Sequence, residues 1–164
     1  MKRADENAYR DYVRARLEPL RRSAFLLCRD WDAVDDVVAV TIGKVYRHWD
    51  RAQRADNLDA YVHGILTHTW LDERRRLWRR REDPVEHLPE AATHDAEPGD
   101  GHLLALLATL PPRRRACVVL RFYCDLSVSQ TADILGVSEG TVKSQTARAL
   151  ATLRLLATAD QEQE

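Results

Sequence analysis

The residues best equipped for chemistry in this 164-residue chain are cations and hydroxyls set out at helical spacing. Ser138, Thr141, Lys143, Ser144 and Arg148 follow the turn residue Gly136, with Gly140 and Ala147 between them. Small side chains let a helix backbone approach a DNA groove, while Lys, Arg and Ser reach base edges and phosphates. About sixty residues earlier runs Asp72-Glu73-Arg74-Arg75-Arg76-Leu77-Trp78-Arg79-Arg80-Arg81, a cationic stretch interrupted by an aromatic. Arginines that track a phosphate backbone, with Trp70 or Trp78 able to stack or wedge, suit a single nucleic-acid strand. A plainly solvated helix end is the ordinary reading of such a run, and an ordinary helical hairpin that of the later stretch. Covalent chemistry has little support. There is no phosphate-cradling glycine loop and no nucleophile–base pairing, and the adjacent carboxylates of Asp35-Asp36 would diverge by about 100° on a helix.

The elements that must carry these residues are all helical. Tyr9, Val13, Leu17, Leu20, Ala24 and Leu27 recur at three- and four-residue steps and predict a first helix, with Pro19 kinking it or marking a start. A second helix is expected from Asp32 to Trp49, with Val34, Val37, Val38, Ile42, Val45 and Tyr46 inward. A third begins near Asn57, an N-cap residue, and runs through Leu58, Tyr61, Val62, Ile65, Leu66 and Thr69 into the arginines. The second half predicts four short helices at about 102–110, 113–124, 128–135 and 139–156. Pro111-Pro112 separates the first two, Ser127 and Gln130 form a capping box, Gly136 supplies a turn and Ser138 caps the last. On that last helix Val142, Thr146, Ala149, Leu150 and Leu153 would pack on Ala132, Leu135 and Leu120. Nothing reads as a sheet, so the fold class is all-α: two small helical domains, 1–81 and 102–157, with an acidic tail at 158–164.

Charge follows the same division. The overall net charge is −1, yet residues 1–81 carry a net +5 (18 Lys+Arg against 13 Asp+Glu) and residues 102–157 a net +4 (7 against 3). Residues 82–101, with seven acids, three prolines and two glycines, read as a linker of net −7. As a coil it would span roughly 25 Å, enough for two domains to dock separately. Its charge suggests either a solubilising spacer or a segment that folds back on the basic faces. A basic–acidic–basic layout suits a nucleic-acid binder.

Other features exclude function classes. Arg or Asp interrupts every apolar run, and the charged start lacks a secretory pattern, so a cytoplasmic protein is expected. Cys28, Cys117 and Cys124 form no Cys-x-x-Cys and read as small buried hydrophobes. His63 and His68 stand five apart, which splays them as metal ligands, so neither metal nor cofactor is expected. Core packing is the expected role of Trp49 and Trp70.

Leu110-Pro111-Pro112-Arg113-Arg114-Arg115-Ala116, Leu126-Ser127, Thr131-Ala132, the run Leu135 to Ser144, Arg148-Ala149-Leu150 and Leu153-Arg154 together resemble region 4 of an extracytoplasmic-function (group IV) sigma factor. Asp30, Asp35-Asp36-Val37-Val38, Tyr46, Trp49, Asp59-Ala60-Tyr61-Val62, Ile65-Leu66, Thr69 to Asp72 and Arg75-Arg76 resemble region 2 of the same family. The resemblance implies a promoter-specificity subunit of RNA polymerase, with no enzymatic activity of its own. Region 4 would read the −35 element and dock on the β flap, with Lys143, Ser144 and Arg148 in contact and Thr141 and Ser138 nearby. Region 2 would bind the β′ clamp helices through Asp36, Val37, Val38, Ala39 and Val40. It would also hold the melted −10 strand with His68, Arg74, Arg75, Arg76 and Arg79. An anti-sigma factor that clamps both domains is a further expected partner.

Two departures stand out. Ala39-Val40 occupies a place where the family usually has a polar Gln-Glu-type pair, and His68 one where it often has Asn. The first would weaken docking by about 1–3 kcal/mol per lost charged hydrogen bond or favour a more apolar partner surface. The second would alter base preference. They leave open a sigma-like regulator that binds DNA or a partner without directing initiation.

Overall fold

The computed structural model describes residues 1–80 and 100–163, in which every regular element is helical. The chain divides into two compact units, Met1–Glu86 and His87–Glu164. The acidic segment read as a linker lies outside the described residues, except that Asp100 and Gly101 open a helix.

The first unit contains α1 (Arg3–Cys28), α2 (Trp31–Arg47), α3 (Trp49–Arg54) and α4 (Leu58–Arg80). Local chemistry sets the boundaries. Asp30 caps α2, its Oδ1 accepting the Asp32 N–H at 3.0 Å, and Asn57 Oδ1 accepts the Ala60 N–H at 3.1 Å at the head of α4. Pro19 sits inside α1 without ending it, and Ser23 Oγ donates to the Pro19 carbonyl one turn on. The short α3 is absent from the sequence reading; Trp49 and Ala52, both buried, fold it back onto the core. That core joins Leu20, Ala24 and Leu27 of α1 to Val34, Val37, Val38 and Val45 of α2 and Val62, Leu66 and Trp70 of α4.

Polar ties fix how these helices sit. Asp59 on α4 takes the Tyr12 hydroxyl at 2.9 Å and an ion pair from Arg16, both from α1. Lys44 on α2 donates to Thr69 Oγ1 at 3.1 Å, locking α2 to α4. Tyr9 and Tyr12 flank the buried Trp49 ring at 5.5 and 5.9 Å between centroids.

The second unit contains α5 (Asp100–Thr109), α6 (Pro112–Val118), a π-helical turn at Val119–Tyr123, α7 (Val128–Leu135) and α8 (Glu139–Gln161). The expected helix 113–124 is thus half α and half π, the Cys124 N–H reaching the Val119 carbonyl five residues back at 2.9 Å. The capping box at Ser127 and Gln130 is present in both directions, at 3.0 and 2.9 Å. Helix α8 continues past the expected end at 156 to Gln161, where Asp160 meets His102 of α5 at 3.5 Å. Residues expected as an acidic tail therefore begin as the last helical turn.

Candidate nucleic-acid interface

The start of α8 is built from the turn outward. Gly136 ends α7 in the left-handed region, φ +65°, where only glycine sits without strain, and its N–H returns to the Ala132 carbonyl. Ser138 caps α8: its Oγ accepts the Thr141 N–H at 3.1 Å and lies 2.9 Å from Thr141 Oγ1. The Ser144 hydroxyl donates to the Thr141 carbonyl at 3.1 Å. Val142 and Ala149 are fully buried, while Lys143, Ser144, Ala147 and Arg148 are exposed. The helix therefore offers a solvent face whose cations are Lys143 and Arg148 near its start and Arg154 three turns on; none has an ion-pair partner among the described residues.

Three consecutive arginines of α6 tie the helices of this unit together. Arg114 Nε donates to Gln145 Oε1 at 2.7 Å, and Arg113 Nη1 to the Leu135 carbonyl at 3.2 Å. Arg115 is buried and grips the end of α5 through the carbonyls of Leu107, Ala108 and Leu110 at 3.0 to 3.3 Å. A guanidinium suits this place because it meets orphan carbonyls and the negative end of a helix dipole together. No local pattern in Arg113-Arg114-Arg115 distinguishes the buried one. Only its contacts do.

Helix α4 presents a different face. His68, Asp72, Arg75 and Arg79 recur at four-, three- and four-residue steps, so one stripe carries all four, and all are exposed. Arg74 falls on another side, its guanidinium 5.5 Å from the Trp70 ring centroid, and Arg76 pairs with Glu73 at 2.7 Å. The structure thus gathers His68, Arg75 and Arg79 and sets Arg74 and Arg76 apart. Trp70 is 3 % exposed and cannot stack on a base, whereas Trp78 is 77 % exposed.

The expected polymerase-facing set needs correction. Val37 and Val38 are each 4 % exposed and belong to the core, because α2 turns them toward α1 and α4. The outer stripe is Asp32, Asp36, Ala39, Val40, Gly43 and Arg47, and a Cβ on Gly43 would meet nothing within 4 Å. Gly43 escaped the sequence reading, since a lone glycine in a helix pattern signals weakness rather than a surface.

Two further readings shift. Burial and the nearby Arg16 charge lower the His63 pKa to about 4. Its Nδ1 lies 2.8 Å from the Asp59 carbonyl and its Nε2 3.3 Å from Ser23 Oγ, so His63 is a neutral core histidine. Of the cysteines only Cys117 is buried, and burial raises its thiol pKa; Cys28 and Cys124 are half-buried, at the ends of elements.

A Sigma-70 region 2 family model matches residues 12–80, and a Sigma-70 region 4 model matches residues 101–153. The RNA polymerase sigma-E factor of Streptomyces coelicolor is 38% identical over 152 residues, covering 89% of this chain and 84% of that protein. The chain belongs to the extracytoplasmic-function sigma factors. SigD of Mycobacterium tuberculosis, an ECF RNA polymerase sigma factor, is 33% identical over 87% of this chain and 68% of its own length. Among solved structures, the sigma factor RpoE of Bartonella quintana, determined in complex with the anti-sigma factor NepR, superposes with a TM-score of 0.82 and 26% identity over 93% of this chain and 98% of that one. Helices α1–α4 therefore hold the region 2 match and α5–α8 the region 4 match of a sigma factor that directs promoter-dependent initiation. No helix among the described residues is long and apolar enough to cross a membrane.

Proposed function

We propose that this sigma factor divides promoter recognition between its two units. The region 4 unit, 102–157, reads duplex DNA at the −35 element through α8; the region 2 unit, 1–81, takes the opened −10 strand along α4, with residues 82–101 as the connecting segment. The exposed Lys143–Arg148 face of α8 carries this reading: two cations one and a half turns apart, with Ser144 and Ala147 between them and a capped, braced helix behind. Lys143 and Arg148 make the contacts, Ser144 adds a hydroxyl, and Ser138 and Thr141 shape the helix start. On α4, His68, Arg75 and Arg79 face the strand. Arg74 and Arg76, engaged with Trp70 and Glu73, contribute charge rather than direct contact.

Docking on core polymerase uses Asp36, Ala39 and Val40, with Gly43 and Arg47 completing the strip on α2. The apolar Ala39-Val40 pair supports a partner surface less polar than the usual Gln-Glu-type contact. The protein performs no reaction of its own; chemistry belongs to the polymerase, and it works in the cytoplasm. An anti-sigma protein restrains it, a reading supported by the RpoE–NepR complex.

Run-off transcription with host core polymerase tests the central part. Arg148→Ala and Lys143→Ala should each lower promoter-specific transcript by about five- to a hundredfold, the range for a base or phosphate contact, with unchanged assembly on the core. Undiminished transcript from the double variant would refute the assignment of α8. Val40→Glu should weaken core binding and leave DNA affinity of preassembled complex intact.

A further inference from the structure

Gln145 sits where α8 meets α6, at the edge of the reading face and not behind it. It follows Thr141 by four residues and precedes Arg148 by three, so the three share one stripe. Its side chain is half-exposed, whereas Val142 and Ala149 are buried. From α6, the half-buried Arg114 reaches the same edge, its Nε donating to Gln145 Oε1 at 2.7 Å. Chemistry fixes which end of the amide is held: a guanidinium has donors and no acceptor, so only the amide oxygen can face it. Among the described residues the amide nitrogen has no acceptor of its own.

We propose that Gln145 is a specificity-determining residue of the −35 reader, and that Arg114 sets its choice by making it a donor-only side chain. This rests on the reading of α8 as the duplex-reading helix and deepens it by naming the base edge that one side chain selects. A free glutamine pairs with adenine through both ends of its amide, the oxygen accepting from the N6 amino group and the nitrogen donating to N7. With Arg114 at the oxygen, the adenine amino group would have to approach beside the guanidinium, donor against donor. The amide nitrogen remains. Its hydrogens suit the purine edge that offers two acceptors and no donor, N7 and O6 of guanine. Gln145 therefore prefers guanine where an unheld glutamine prefers adenine. Arg114 touches no base; it positions the residue that does.

The test is competition binding by holoenzyme reconstituted with host core polymerase, on a promoter that the wild-type protein transcribes. Each −35 base pair is replaced in turn by the other three. Wild type should favour guanine over adenine by about tenfold at one base pair, within the range for a good side-chain contact to a base, and Gln145→Ala should level that preference. Arg114→Met should bring adenine to parity or above at the same base pair. Arg114→Lys keeps a donor for the amide oxygen and should retain the guanine advantage to within about threefold. Gln145→Glu, an acceptor-only side chain, should turn the preference to cytosine. A brace without a part in reading would lower affinity for every sequence alike, so uniform loss in Arg114→Met would overturn the proposal. Preference lost in Gln145→Ala but unchanged in Arg114→Met would overturn it too. If neither variant alters any preference while Lys143→Ala with Arg148→Ala still loses the promoter, the proposal falls and α8 remains the reader. If that pair also binds like wild type, both fall.

Discussion

Helix α8 and helix α4 both carry cations to a surface, yet they are built in opposite ways. Helix α8 is capped by Ser138, preceded by a glycine turn and braced from behind by Arg114, while Arg113 holds the end of α7, and its outer face alternates cations with small residues. Helix α4 is tied to its neighbours at Asp59 and Thr69, then leaves its core after Leu71, and its last turns are long side chains around Trp78. A duplex has a fixed groove, so its reader must be stiff, slim and placed to within a fraction of an ångström. A melted strand has no fixed shape, so its holder gains more from reach, charge and a flat ring.

The contrast is most sharply broken by removing what stiffens region 4. Arg115→Met removes the guanidinium from three carbonyls at the end of α5, of which Leu107 keeps the Leu110 N–H at 3.1 Å, and it should destabilise the second unit by about 3–4 kcal/mol, since each charged hydrogen bond is worth about 1.5–3 kcal/mol and its loss is partly relieved by relaxation. Urea unfolding of the full chain should show this in the transition of the second unit, with the first unit unmoved. Equal shifts in both would show that the units are not independent.

The first unit has its own sensitive point, set by pH. A His63 pKa near 4 in the folded protein, against about 6.5 unfolded, means that the unfolded chain takes up the proton first. The stability tied to neutral His63 is complete above about pH 6.5 and is lost as pH falls through 4, by roughly 3 kcal/mol in all. His63→Gln should remove most of that slope in acid unfolding curves; a slope equal to wild type would locate the acid sensitivity elsewhere.

Smaller effects sharpen the comparison at the reading helix itself. Gly136→Ala should cost about 1 kcal/mol through its left-handed backbone alone, because a Cβ there meets no atom within 4 Å. The variant should also lose −35 discrimination out of proportion to that cost, as α8 shifts in the groove. Thermal melting paired with competition binding on duplex DNA separates the two.

Much of this was readable from residue order because caps act locally. Asn57, Ser127 and Ser138 name the starts of three helices, and Gly136 names an end, through hydrogen bonds spanning three or four residues. What stayed hidden depends on contacts distant in sequence. The π-helical turn after α6 keeps Val119 and Leu120 inward and releases Phe122 and Tyr123 to solvent, which periodicity alone does not reveal. Val37 and Val38 are inward by helical spacing but polymerase-facing by the family resemblance, and their burial decides for the spacing. The acids near the C-terminus read as a tail, but Leu156 and Ala157 extend the packed side of α8 and carry the helix onward.

Division of labour between α8 and α4 is best examined by one measurement: the affinity of holoenzyme carrying Lys143→Ala and Arg148→Ala for two versions of the same promoter, fully paired and pre-opened at the −10 element with the −35 duplex removed. Binding to the paired promoter should fall by at least tenfold while binding to the pre-opened fragment stays within twofold of wild type. Equal loss on both templates would contradict the account, because the same cations would then be serving duplex and single strand alike.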